Sequence, residues 1–80
     1  MILRRTPALF RVIEGVVLVT LLDGHALDLG GAAAAVWLAV DEPCDVATLT
    51  DRLQGLGLPD EAVAAAVQQL RDAGLLTSSP

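Results

Sequence analysis

The sequence predicts an α+β domain in which a three-stranded antiparallel sheet is followed by three helices, and three observations predict it. Two runs rich in β-branched and apolar residues meet at Gly15, and a third, alternating run follows the turn pair Asp23-Gly24. From Asp45 onward the apolar residues recur at threes and fours, the helical spacing. With 80 residues, 54% of them hydrophobic and 19% charged, the chain has room for one small core, residues 1–80 forming a single domain.

Taken in order, Leu9, Phe10, Val12 and Ile13 flank Arg11 in a first strand that stops at Gly15. Val16 to Leu22 is apolar on both alternating sets and reads as a second, buried strand. His25-Ala26-Leu27-Asp28-Leu29 alternates, with Leu27 and Leu29 on one face, and reads as a third, half-exposed strand. Ala32 to Val40, with four consecutive alanines, has the composition of a first helix, which Asp41-Glu42-Pro43 ends. On it Ala33, Val36, Trp37 and Val40 share a face, so Trp37 is expected in the core, and Phe10 with it.

Asp45 stands before Val46, Leu49 and Leu53 as the N-cap of a second helix, which Gln54-Gly55-Leu56-Gly57 closes. Pro59, Asp60 and Glu61 open the last helix, whose stripe is Val63, Val67 and Leu70 with Ala66 and Ala73 beside it. Ala73-Gly74-Leu75-Leu76 is its stop. The polar tail Thr77 to Pro80 is expected to fray, leaving an ordered core of about 8–76. A core of this size yields a net stability of only about 3–5 kcal/mol.

The chain carries ten acidic against five basic residues, a net charge of −5, and such a balance repels phosphate. One cysteine, Cys44, supports neither an internal disulfide nor a thiolate metal cluster, so a reducing cytoplasm is the expected home. Arg11 and Glu14 interrupt any signal-peptide core, and the longest uncharged stretches fall short of the roughly 18–20 residues of a membrane span. No membrane association is expected.

Catalysis finds few candidates: one His, one Cys, and Ser78 and Ser79 in the tail. His25 reads as a solvated turn residue and Cys44 as an inert thiol. Asp41, Glu42 and Asp45 lack the alternating ligands of a calcium loop and read as helix-end residues. No phosphate-cradling glycine motif is present. No catalytic residue, metal or cofactor is expected.

Two helices joined tightly beside a small sheet resemble a winged helix-turn-helix, whose last helix reads DNA. A winged-helix transcriptional regulator is therefore the alternative reading, although Asp60, Glu61 and Asp72 against Arg71 oppose nucleic-acid binding. What remains is surface. A second strand apolar on both faces should expose Val and Leu on the side the helices leave open. The third strand, at an edge, has neither proline nor lysine to block pairing. These features suit strand addition of an extended peptide, or a homodimer.

Leu27-Asp28-Leu29 before a small-residue helix, Val36-Trp37-Leu38-Ala39-Val40-Asp41, Asp45-Val46-Ala47-Thr48-Leu49, and the last helix ending in Ala73-Gly74-Leu75-Leu76 together resemble the PqqD-like family. These are peptide-recognition elements of ribosomally synthesised, post-translationally modified peptide biosynthesis, and the resemblance spans about residues 9–76. It implies a three-stranded antiparallel sheet on a winged-helix trio, and a non-enzymatic peptide chaperone. Such a protein binds the leader of a precursor peptide and presents it to a separate modifying enzyme or leader peptidase, of lasso-peptide or radical-SAM type. Carried onto this chain, the leader adds along His25, Ala26, Leu27, Asp28 and Leu29, facing Val63, Ala64, Val67, Gln68 and Arg71 of the last helix. A proline at Leu27 is expected to abolish binding by removing a backbone donor and distorting the strand.

Overall fold

The β-branched run after Gly15 forms the centre of an antiparallel meander in the computed structural model, which describes residues 2–79. In chain order the elements are β1 (Ile2–Arg5), β2 (Ala8–Ile13), β3 (Val16–Leu21), β4 (Ala26–Leu29), α1 (Gly31–Ala39), β5 (Cys44–Asp45), α2 (Val46–Gln54), α3 (Asp60–Asp72) and β6 (Leu76–Ser79). They build two three-stranded antiparallel sheets, β2-β3-β4 and β5-β1-β6, with three helices. The expected sheet and all three helices are present, their boundaries shifted by one or two residues.

The second sheet was not expected. No element is expected over Ile2–Arg5, and the tail is expected to fray. Instead β6 pairs along β1, Ile2 opposite Ser79 and Arg5 opposite Leu76, while Cys44 and Asp45 pair on β1's other side. Main-chain pairing needs no apolar pattern, so Thr77-Ser78-Ser79 can join a ladder without a strand-like composition. Leu3 and Leu76 anchor the ladder in the core. Met1 and the tail's Pro80 lie outside the described residues.

Local chemistry explains the helix ends. The carboxylate of Asp45 accepts the Thr48 amide at 2.7 Å, the expected N-cap of α2, and that bond holds the Asp45 carboxyl below its ordinary range. Helices α2 and α3 close in the same way. The Leu58 amide donates to the Leu53 carbonyl and Leu75 to Leu70, each across a glycine with positive φ, Gly57 or Gly74. Both are Schellman closures, with the two leucines of α3's closure buried together.

The core joins both sheets to the helices: Leu3 and Leu76 from one sheet, Val17, Val19 and Leu29 from the other, and Trp37, Leu49, Leu53, Val63 and Leu70 from the helices. Phe10 is not part of it, contrary to expectation. Its ring stands T-shaped against Trp37 of α1 at 5.7 Å between centroids, but β2 lies at the rim of the sheet, where α1 covers Phe10 only in part and leaves it exposed. Trp37 is buried, and its indole N–H finds no acceptor among the described residues.

Candidate strand-addition edge

Strand β4 is a border of its sheet, paired on one side only with β3, Thr20 opposite Ala26 through Val17 opposite Leu29. The preceding turn fixes which groups face outward. The Gly24 amide donates to the Leu21 carbonyl and Gly24 has φ +95°, while the Leu21 amide donates to the His25 carbonyl at 2.7 Å. This is a three-residue hairpin loop with a glycine bulge, and it makes Leu21 and His25 a hydrogen-bonded pair. By the alternation of antiparallel ladders, Leu27 and Leu29 also bond to β3. The amides and carbonyls of Ala26 and Asp28 therefore point to the open border.

The bulge takes the Leu21 carbonyl away from the His25 amide, and Asp23 replaces it. The His25 amide donates to Asp23 Oδ1, and the ring Nδ1 lies 2.9 Å from Oδ2. The backbone bond, first, and then the ring contact hold the Asp23 carboxyl below its ordinary range. His25 is exposed and takes part in the turn that sets the register of β4.

The alternation also corrects the expectation about Leu27. Its amide is committed to β3, so a proline there would damage the sheet itself. A proline at Asp28 would remove a donor from the open border alone.

The other half of the expected site is α3. Val63 and Val67 are buried and belong to the core, so the exposed members are Ala64, Gln68 and Arg71, which share one face at i, i+4 and i+7. Gln68 donates to Asp72 at 2.8 Å within the helix. Helix α3 packs chiefly on α1, with α2 and β6 beside it, while β4 packs on β3. One core holds the two halves, and neither is the other's main packing partner.

The opposite border, β2, escaped the sequence reading. It carries exposed Leu9, Phe10, Val12 and Ile13, so one face is open and the other is covered only in part, by Trp37 and Arg5 over Phe10. Beside it a groove of about 360 Å³ is lined by Arg4, Arg5, Phe10, Trp37 and Pro43 among others. The Arg5 guanidinium lies 4.9 Å from the centre of the Phe10 ring and 5.1 Å from that of Trp37, and donates to the Trp37 carbonyl at 3.4 Å. The signal in the sequence is apolar residues on both alternating sets of this strand, as in β3.

Among the described residues no group of three His, Cys, Asp or Glu is placed to hold a metal ion. Cys44 is buried, and burial pushes its thiol up, away from the reactive thiolate. No described helix is long and apolar enough to cross a membrane. Compared with family models, curated proteins and solved structures, the chain matches none of them.

Proposed function

We propose that this chain is a PqqD-like recognition domain that takes the leader of a ribosomally synthesised precursor peptide as an added strand along β4 and presents it to a separate modifying enzyme or peptidase. The observation that carries the reading is the open border of β4, where Ala26 and Asp28 offer unpaired backbone groups with neither proline nor lysine to block them. The helices α2 and α3 between β5 and β6 support the winged-helix part of the resemblance. The border stands beside Asp23 and Asp28, so the favoured leader brings apolar and basic side chains to it.

Magnitudes say what else the leader must supply. Two outward residues offer four backbone hydrogen bonds, about 4 kcal/mol net. A micromolar complex needs roughly 8 kcal/mol, beyond the cost of association. Apolar side chains of the leader must therefore be buried, beginning over half-buried Leu27 of β4 itself.

The test is a fluorescence-anisotropy titration with the leader of the precursor peptide encoded beside this protein, repeated with a mixed DNA duplex at low salt. We expect saturable leader binding that weakens at least about tenfold in Asp28→Pro, a variant whose circular dichroism stays native because an edge proline is tolerated. Salt-sensitive DNA binding without leader binding would favour the winged-helix regulator instead.

A further inference from the structure

The sheet β2-β3-β4 has two open borders, and their charges are opposite. Residues 1–13 hold Arg4, Arg5 and Arg11 and no carboxylate, while residues 14–80 hold two arginines against ten carboxylates, so a net charge of −5 divides into +3 and −8. All of that positive excess belongs to β1 and β2. The two-residue turn Glu14-Gly15, both with positive φ, makes Ile13 and Val16 a hydrogen-bonded pair. Leu9 and Arg11 follow that phase and bond to β3, leaving the amides and carbonyls of Ala8, Phe10 and Val12 on the open side. The same border exposes Leu9 by 76%, Phe10 by 41%, Val12 by 52% and Ile13 by 45%.

We propose that β2 is a docking strand for an acidic extended segment of a partner protein, one whose apolar residues alternate with Asp or Glu. The backbone groups of Ala8, Phe10 and Val12 set its register. Phe10 and Val12 stand opposite buried Val19 and Val17 and share their face, while Arg11 lies on the other, so the segment's apolar residues cover Phe10 and Val12 and its carboxylates, alternating with them, meet Arg11. Charge decides the occupant. A second copy pairing antiparallel through β2 would bring Arg11 onto the same face as its counterpart with no carboxylate in either β2, whereas an acidic segment neutralises it. The proposal concerns the border opposite β4, so it stands or falls independently of leader binding.

The probes are two capped decapeptides, one alternating Val and Glu and the other alternating Val and Lys, titrated into the ¹⁵N-labelled full chain. The Glu peptide is expected to shift the amides of residues 8–13 and leave residues 26–29 in place. Its affinity should fall at least about tenfold in Arg11→Glu, whose exposed side chain can be reversed without disturbing the core, and fall again as salt shortens the Debye length from roughly 10 Å to 3 Å. The Lys peptide should leave residues 8–13 in place. Equal shifts of residues 8–13 by both peptides, Glu-peptide shifts confined to residues 26–29, or no shift at millimolar Glu peptide would each overturn the proposal. So would shifts of residues 8–13 that follow protein concentration alone, which would assign the border to a second copy.

Discussion

Trp37 concentrates the packing of this small domain in one side chain. It is 1% exposed, T-shaped against Phe10 and topped by the Arg5 guanidinium, yet its indole N–H is buried without an acceptor among the described residues. Truncation to alanine should cost about 3–5 kcal/mol, as much as a core of this size supplies, so Trp37→Ala should be unfolded. Phenylalanine gives up ring volume but also removes an orphaned donor whose burial costs about 1–3 kcal/mol. Trp37→Phe should therefore lie within about 1.5 kcal/mol of the parent in urea denaturation followed by circular dichroism. A loss as large as that of the alanine variant would mean that the N–H has a partner in solution. The role of Trp37 in the core was legible, because its apolar neighbours recur at helical spacing. Its missing partner was not, since a hydrogen bond depends on what the fold brings near.

At the scale of elements, legibility followed the range of the interactions. The Asp45 cap, the glycine closures of α2 and α3 and the turn at Gly24 are decided within about six residues, and each is visible in the sequence. The pairing of β1 with β6 joins strands at opposite extremes of the sequence, and nothing in Thr77-Ser78-Ser79 announces it. Of the first strand, only Leu3 is fully buried. Leu3→Ala should destabilise the domain by about 2–5 kcal/mol, read as a lower urea midpoint. A change within about 0.5 kcal/mol, the size of an ordinary surface substitution, would show that the second sheet contributes nothing to folding. The β4 border was legible from Asp23-Gly24 and the alternation of Leu27 and Leu29. The direction of its hydrogen bonds was not, because the phase depends on the bulge.

For the molecule as a whole, one small core supports a sheet with two open borders, an acidic one at β4 and a basic, apolar one at β2. The two proposed guests would accordingly differ in chemistry, apolar and basic at β4 and apolar and acidic at β2. The claim on which this account turns is that Ala26 and Asp28 receive a guest backbone. Amide hydrogen exchange of the full chain, with and without saturating leader peptide, tests it most directly. The account predicts that the Ala26 and Asp28 amides slow at least about tenfold on binding while Leu27 and Leu29, already bonded to β3, change far less. Unaltered exchange at Ala26 and Asp28 under saturating leader would contradict it.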